Sequence, residues 1–285
     1  MWYNGDMRSR RHVFTLVEVA LFLAITGLLF IGIVAGVQNS MFQQRYNDSV
    51  QSFAEFLRRV YSQTTNVHSV GTGRSDIAIY GKLVVFGQAG VSDTIYVYDV
   101  VGNASGSSAG GTKEAMKGAN ANVVVATKDG VALAGEVEEY KPRWGAAIQT
   151  NTNTAQLFKG ALLILRHPRS GTVNTYIYNG DNGTFNVNSS VNNLNNSSTI
   201  RGFVNDSNLS DAMKISRIQN ALNSNRVLSD AWLDKFEIKQ VDFCVNPNGN
   251  QGGVRRDVRV VENARNASGV EVISADDPNR ECKEI

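Results

Sequence analysis

Residues 10–18 read Arg-Arg-His-Val-Phe-Thr-Leu-Val-Glu, and a long apolar run continues from there to residue 37. Between Phe14 and Gln44 the only charged side chain is that of Glu18. A carboxylate inside an apolar segment of membrane length costs roughly 2.5–3.5 kcal/mol on insertion into a bilayer. We therefore expect the Glu18 carboxylate to have a specific partner.

Residues 14–37 are predicted to be the transmembrane part of an N-terminal helix. At about 1.5 Å of rise per residue this segment is ~36 Å long, which is enough to cross a bilayer with some tilt. A cleavable secretory signal is disfavoured because the apolar run is too long and no Ala-x-Ala site follows it. The large side chains expected to line the span are Leu16, Leu21, Phe22, Ile25, Leu28, Leu29, Ile31 and Ile33.

The charges around this segment predict its orientation. Arg8, Arg10 and Arg11 lie in a basic leader of residues 1–13. The positive-inside rule keeps such an N-terminus in the cytoplasm and sends residues from about 40 onward to the outside of the cytoplasmic membrane. The leader holds three arginines and one aspartate, so removing it from 28 basic and 26 acidic residues would leave 25 of each. A formally neutral chain has no general electrostatic reason to bind nucleic acid.

The motif Phe14-Thr-Leu-Val-Glu18, between a basic leader and an apolar helix, resembles the N-terminal motif of the type IV pilin and pseudopilin family. In that family a membrane-embedded prepilin peptidase cuts just before the Phe and methylates the new amine. The resemblance implies processing between Val13 and Phe14, at a position where the family normally has Gly in place of Val13. It also implies that Glu18 pairs with the free amine of Phe14 in a neighbouring subunit.

The resemblance further implies the partners of such a subunit, which are other pilin subunits, the prepilin peptidase and an inner-membrane assembly platform. The expected function is that of a structural subunit, a minor or variant pilin of a type IV pilus or of a related secretion or competence pseudopilus. After assembly it would lie in a cell-surface filament. Two alternatives stay open. One is a membrane-anchored surface-binding protein that does not polymerise, and the other is a minor pilin that binds DNA.

Residues 38–66 are predicted to continue the helix as an amphipathic segment. No proline occurs before Pro142, and residues 38–66 contain no glycine. Apolar side chains recur at spacings of three and four, which places them on one helical face. They are Phe42, Tyr46, Val50, Phe53, Leu57 and Val60. One helix of roughly 50 residues is therefore expected from Phe14 to near Thr65.

Residues 67–285 are predicted to form a β-rich ectodomain, which makes the fold class α+β and pilin-like. Short runs of β-branched and aromatic residues, separated by glycine turns, indicate strands. They are expected at residues 77–80, 83–86, 94–98, 122–126, 161–165, 173–178, 236–243, 258–261 and 270–273, with a further helix at 209–222. Residues 102–118 and 180–198 are rich in Gly, Ser or Asn and are expected to be loops.

The two cysteines of the chain, Cys244 and Cys282, lie in the half expected outside the cell, where oxidation is permitted. A bridge between them would enclose 37 residues, and loop closure would contribute roughly 3–4 kcal/mol. Many type IV pilins similarly close a C-terminal loop with a disulfide. Two free thiols are the alternative, because spacing alone does not prove pairing. The cysteines and the three histidines are too scattered to predict a metal site, and no cofactor is expected.

A basic cluster near the C-terminus consists of Arg255, Arg256, Arg259 and Arg265, and the first three are the candidate site residues. The surrounding residues 243–272 are similar to the closing hairpins of GspH/FimT-type pseudopilins. Strand alternation would place Arg255, Asp257 and Arg259 on one face and Arg256 on the other. The cluster is a candidate patch for DNA or another surface, and a mixed strand face exposed to solvent is the commoner explanation.

The sequence holds no catalytic constellation, and the chain is not expected to be an enzyme. Residues 106–110 match the Gly-x-Ser-x-Gly pattern of serine hydrolases. They lie in a Gly/Ser/Ala segment, however, without the strand and the helix that this motif requires. No phosphate-binding loop, dinucleotide fingerprint or zinc pattern occurs in the sequence.

Overall fold

The computed structural model describes the greater part of the chain, in ten segments and five single residues. These are residues 15–65, 78–87, 94–104, 112–116, 121–125, 138–150, 156–179, 233–247, 255–274 and 280–282, with residues 208, 210, 213, 277 and 278. The chain divides into two units, residues 1–45 and residues 46–285. The fold class is α+β, because the described residues form one long N-terminal helix and antiparallel sheets.

Helix α1 (Leu16–Thr65) is 50 residues long and confirms the predicted continuous helix. Its first backbone hydrogen bond runs from the Val19 N–H to the Thr15 carbonyl oxygen, at 3.2 Å. The last turn contains no basic residue. Arg166 compensates by donating from its guanidinium to the carbonyl oxygen of Thr65 at 3.1 Å. A cation at a helix C-terminus stabilises carbonyl groups that the helix itself leaves without donors.

The larger sheet, sheet A, has the strand order β3-β2-β1-β6-β7 within the described residues, and β4 also pairs with β2. All of its pairings are antiparallel. The strands are β1 (Ala78–Phe86), β2 (Ile95–Ala104), β3 (Ala121–Val125), β4 (Glu138–Tyr140), β6 (Gly160–Arg166) and β7 (Val173–Asn179). A one-turn helix, α2 (Thr112–Ala115), lies between β2 and β3 in the chain.

The smaller sheet, sheet B, has the order β10-β9-β8-β5 and is also antiparallel. Its strands are β5 (Ala147–Gln149), β8 (Val241–Asn246), β9 (Arg256–Val260) and β10 (Val270–Val272). In the central pair, Phe243 is opposite Val258 and Cys244 is opposite Asp257. This register places Asp257 of β9 next to Cys244 of β8.

The main hydrophobic core lies between the second half of α1 and both sheets. The predicted apolar face of α1 is confirmed from Tyr46 onward, since its side chains there are buried. The Phe53 ring lies 5.6 Å from the Phe243 ring of sheet B and 6.4 Å from the Phe86 ring of sheet A. Phe86 and Phe243 in turn stack on each other at 4.9 Å. One aromatic cluster therefore joins the helix to both sheets.

Sheet A is covered on both of its faces. Alternating side chains of β1 point to opposite sides, as a strand requires. Val84 and Phe86 belong to the main core, whereas Leu83 and Val85 belong to a second cluster. The second cluster is completed by residues outside the sheet, notably Met116, Leu233 and Phe236.

Three of the predicted strands differ from the structure by a merger or by a late start. The runs at 77–80 and 83–86 were expected to be separate strands, but β1 is one strand with a register shift between Ile79 and Gly81. Gly81 acts as a close-packing position, because a Cβ there would overlap the carbonyl oxygen of Ile164. The strand expected at 236–243 begins only at Val241, because Glu237 bridges to Ile177 of sheet A before the chain enters sheet B.

Other predictions were incomplete. Strands β4 and β5 are only three residues long and were not predicted. Of the loop expected at 102–118, residues 102–104 belong to β2 and residues 112–115 to α2. The loop at 180–198 and the Gly-x-Ser-x-Gly segment lie outside the described residues. So does most of the helix expected at 209–222, where the Met213 N–H donates to the Ser210 hydroxyl at 3.3 Å, as a cap would.

A buried hydrogen-bond chain gives the first testable prediction. The hydroxyl of Tyr61 lies 2.7 Å from Thr175 Oγ1, which itself donates to the carbonyl oxygen of Ala264 at 2.8 Å. Tyr61 is therefore the donor to Thr175. We expect Tyr61→Phe to lower the free energy of unfolding by about 1 kcal/mol, because a buried acceptor loses its donor.

Urea denaturation of the full chain in detergent micelles measures this loss. Tyr96→Phe is the control, since Tyr96 is half-buried on the opposite face of sheet A. It is expected to change the free energy of unfolding by less than about 0.5 kcal/mol. If Tyr61→Phe lowers the free energy of unfolding no more than Tyr96→Phe does, the hydrogen bond of the Tyr61 hydroxyl does not stabilise the protein as expected.

Candidate functional site

The start of helix α1 is a capping box formed by Thr15 and Glu18. The Glu18 carboxylate accepts from the Thr15 backbone N–H at 2.9 Å and from the Thr15 hydroxyl at 3.0 Å. The Glu18 N–H donates back to Thr15 Oγ1 at 3.3 Å. Reciprocal bonds of this kind satisfy donors that the first turn of a helix otherwise leaves open. Glu18 thus has a partner within its own chain.

The bonds between Glu18 and Thr15 were not predicted from the sequence, although the sequence contains the signature of such a cap. Thr15-Leu-Val-Glu18 fits the Ser/Thr-x-x-Glu signature of a helix start directly before an apolar run. The expected partner, the amine of a neighbouring subunit's Phe14, stays a prediction. Val13 and Phe14, the predicted processing site, lie outside the described residues.

The first part of α1 presents an apolar surface on all sides. Each of the eight side chains predicted to line a membrane span is more than half exposed. In total, sixteen large apolar side chains between Leu16 and Phe42 are exposed. α1 is the one helix of the described residues that is long and apolar enough to cross a membrane. Such a surface indicates contact with lipid or with other apolar helices.

The exposed residues are Leu16, Val17, Val19, Leu21, Phe22, Leu23, Ile25, Leu28, Leu29, Phe30, Ile31, Ile33, Val34, Val37, Met41 and Phe42. The small residues Gly27, Gly32 and Gly36 interrupt this surface, and a Cβ added at any of them would meet no neighbouring atom. In a membrane, small residues allow the close approach of a second helix.

At the other end of the chain, Cys244 and Cys282 form a disulfide, as predicted. Their Cα atoms are 5.5 Å apart, which is a usual separation for a bridge. The bridge holds the C-terminal segment against β9. There Asp257 accepts from the Glu281 N–H at 2.8 Å and from the Cys282 N–H at 3.0 Å, through one carboxylate oxygen.

This segment changes the interpretation of the arginine cluster. Both sequence-based explanations, a DNA patch and a solvated strand face, required Arg255 and Arg259 to be exposed. On the predicted outer face Arg255 and Asp257 are buried and Arg259 is half-buried, and Arg256 on the other face is also half-buried. Arg255 is fully buried and donates to the Thr150 carbonyl oxygen at 2.9 Å. The expected exposure of Arg255 was therefore wrong, because the backbone at Thr150, far away in the sequence, packs over this side chain.

The remaining two arginines are also engaged within the protein. Arg259 forms an ion pair with Asp242 on the neighbouring strand, with Nε 2.6 Å from Oδ1. This pairing raises the pKa of Arg259. Arg256 lies on the opposite face, with its guanidinium carbon 5.1 Å from the centre of the Tyr46 ring. Arg256 thus contributes a cation–π contact to the packing of α1 on sheet B.

The buried charges of β9 perturb one another's titration. Burial lowers the pKa of the Arg255 guanidinium, and the charge of Asp257 partly opposes that effect. Burial raises the pKa of Asp257, against the two backbone hydrogen bonds from the C-terminal segment. Through these two bonds Asp257 holds the C-terminal segment against β9.

The raised pKa of Asp257 predicts a pH dependence of stability. A carboxyl group whose pKa is raised by folding stabilises the folded protein while it is protonated. Its contribution is present in full when the pH is below the ordinary pKa of 3.8. That contribution is lost as the pH rises from this value through the raised pKa of the folded state. Asp257→Asn removes the titration. We therefore expect the stability of Asp257→Asn relative to the unmodified chain to increase between pH 4 and neutral pH.

Urea denaturation at several pH values measures this difference, in which the titrating groups that do not interact with Asp257 cancel. Asp277→Asn, which also removes one carboxylate near the C-terminus, is the matched control. A flat difference between Asp257→Asn and the unmodified chain across this range would contradict the prediction.

No protein-family model, curated protein or solved structure matches this chain. A function must therefore be argued from the chain's own residues. The strongest of these features is the long helix, which is exposed and apolar in its first part and buried in its second.

Proposed function

We propose that this chain is a structural assembly subunit, a minor or variant pilin of a type IV pilus or of a related secretion or competence pseudopilus. The observation that carries the proposal is helix α1 (Leu16–Thr65), a single helix with two surfaces. Its apolar first part lies in the membrane before assembly and against the helices of other subunits afterwards. Its amphipathic second part carries a pilin-like β-rich domain.

The free energy of burying the exposed side chains indicates that the first part of α1 is covered by lipid or by other helices. Fully burying one large apolar side chain is worth about 1.5–3 kcal/mol. For the sixteen exposed side chains the sum is on the order of tens of kcal/mol. A typical domain is stable by only about 5–15 kcal/mol. This surface must therefore be covered in every state of the protein, by lipid in the membrane and by neighbouring helices in a filament.

Glu18 supplies the specificity that apolar contacts lack. Its capping bonds to Thr15 use a single carboxylate oxygen, Oε2. A carboxylate has about four lone-pair positions, so a cap and an ammonium group can be bound together. Cleavage before Phe14 creates such an ammonium group. Pairing it with Glu18 of a neighbouring subunit sets the axial register, because either charge alone is costly in an apolar bundle.

The capping box allows the two roles of Glu18 to be separated by substitution. Glu18→Gln keeps a side chain that can complete a capping box but removes the charge. We expect Glu18→Gln and Glu18→Ala both to stay in the membrane and to be depleted at least about tenfold from filaments, as the loss of an ion pair with a coupling of 1.4 kcal/mol or more requires. Quantitative immunoblotting of membrane and sheared-filament fractions measures this.

Thr15→Val is the matched control for the capping box. It removes the hydroxyl that bonds Glu18 but leaves the charge, and it is expected to enter filaments nearly as the unmodified chain does. Normal incorporation of Glu18→Gln would show that Glu18 is only a helix cap. Loss of Thr15→Val together with Glu18→Ala, but not of Glu18→Gln, would lead to the same conclusion.

The N-terminus of the assembled protein tests the processing step separately. We expect mass spectrometry of the filament fraction to find a chain that begins at methylated Phe14. Val13→Gly, which restores the family's usual residue before the cut, is expected to be processed at least as fast. An intact N-terminus beginning at Met1 would instead support the alternative, a membrane-anchored surface-binding protein that does not polymerise.

A further inference from the structure

A lysine and an aspartate face each other inside sheet A. Lys82 of β1 lies directly opposite Asp99 of β2 in the register of the two strands. The Lys82 side chain is 16 % exposed and the Asp99 side chain only 2 %. Residues of these two types are rarely buried, and they are then paired or hydrogen-bonded. The pair is therefore an unusual feature of two otherwise apolar strands.

Strand alternation places both side chains on the face of sheet A that borders the main core. Lys82 is two residues from Val84, and Asp99 is two residues from Val97. Both valines belong to the main core. On its other side Lys82 is opposite Ile164 of β6, which is also a main-core residue. Apolar side chains thus surround the two charged groups along the strands and across them.

The charged groups touch, but not through a hydrogen bond. Lys82 Nζ lies 2.5 Å from Asp99 Oδ1. This oxygen is buried and accepts no hydrogen bond from the described part of the chain. The ammonium group therefore lies outside the directions in which a carboxylate normally accepts. Such an ion pair gives the fold little net stability, because the desolvation of two charges offsets their attraction.

The same contact favours a reaction between the two groups. Oδ1 is bonded directly to Cγ, which is the atom that an amine nitrogen attacks to form an amide. Groups that a fold holds in contact react as if each were present at about 10⁵–10⁸ M when their geometry is productive. The amide is uncharged, so its formation removes both buried charges and with them the cost of keeping them out of water.

We propose that Lys82 and Asp99 form an intramolecular isopeptide bond, which links β1 to β2 covalently. A proton first passes from Nζ to the carboxylate and leaves a neutral amine beside a carboxylic acid. Nζ then forms a bond to Cγ, a second proton moves from Nζ to the departing hydroxyl oxygen, and the C–O bond breaks with the loss of one water. The Lys82 ammonium supplies both protons, so the step needs no oxidant, reductant or further reactant.

The bond would be a second covalent link in the unit of residues 46–285, beside the disulfide of Cys244 and Cys282. Strand β1 lies between β2 and β6 in sheet A, so the link would hold the interior of the sheet. An amide, unlike a disulfide, is not opened by reductant. The proposal does not rest on the proposed function, because the two residues meet within one chain.

Mass spectrometry of the purified full chain tests the proposal. The disulfide is reduced first, and the mass is compared with that calculated from the sequence and the observed N-terminus. We expect the native chain to be lighter than calculated by one water. Tandem mass spectrometry of a tryptic digest is expected to find a branched peptide in which the residues around Lys82 are joined to those around Asp99. A native chain of full calculated mass would show that the contact is an ion pair only and would overturn the proposal.

Two lysine variants locate the loss of water. Lys82→Arg keeps a cation opposite Asp99, but its guanidinium does not form the amide, and its full calculated mass is expected. Lys159→Arg makes the same change at an exposed position just before β6 and is expected to keep the loss of one water. A loss of water that persists in Lys82→Arg belongs to a cyclised aspartate and overturns the proposal. The branched peptide is read from the native chain, so the test stays decisive if Lys82→Arg folds poorly, and a digest of the dehydrated native chain without that peptide also overturns the proposal.

Discussion

The packing of the Phe53 ring is the contact on which the β-rich unit of residues 46–285 depends. Phe53 touches the aromatic rings of sheet A through Phe86 and those of sheet B through Phe243. Because these two rings also stack on each other, the helix and both sheets share one desolvated cluster. Aromatic side chains bury the most area per residue, so such a junction has a large effect on stability. Chain segments also pass between the two sheets, from β4 to β5, from β5 to β6 and from Glu237 to Val241.

The same helix has two unlike surfaces because its composition changes without any break in its backbone. Before residue 43 apolar side chains point in all directions, and after it they follow one face. A helix that is apolar all round requires lipid or other apolar helices, whereas an amphipathic helix needs one packed face. The second surface is satisfied within the protein by the main core. The first is exposed over sixteen large side chains, and this imbalance is the physical basis of the proposed assembly role.

The C-terminal segment contacts strand β9, although the two are separated in the sequence. The disulfide between Cys244 and Cys282 brings two backbone N–H groups onto the Asp257 carboxylate. On the same strand, Arg255 is buried with its guanidinium on the Thr150 carbonyl oxygen, and Arg259 is paired with Asp242. The charges of β9 therefore stabilise the closed C-terminus and are not presented to a partner as one patch.

The sequence by itself determined the features that depend on near neighbours. The course of α1 followed from a spacing of three and four and from the absence of proline over its length. The capping box of Thr15 and Glu18 was also readable, since its partners are three residues apart. Most strands were located because β-branched runs are local signals. Their bounds were less accurate where a glycine such as Gly81 was a packing position in a strand and not a turn.

Only the tertiary structure decided which strand faces are buried and which short segments pair. Strands β4 and β5 have three residues each and acquire their conformation from neighbours far away in the sequence. Arg255 is buried against the carbonyl oxygen of the distant Thr150, and Trp144 is exposed on a turn held by Ser49 of α1. A local pattern specifies how a chain alternates or turns. Whether the resulting face meets water depends on which distant segment covers it, and that is a property of the packed fold.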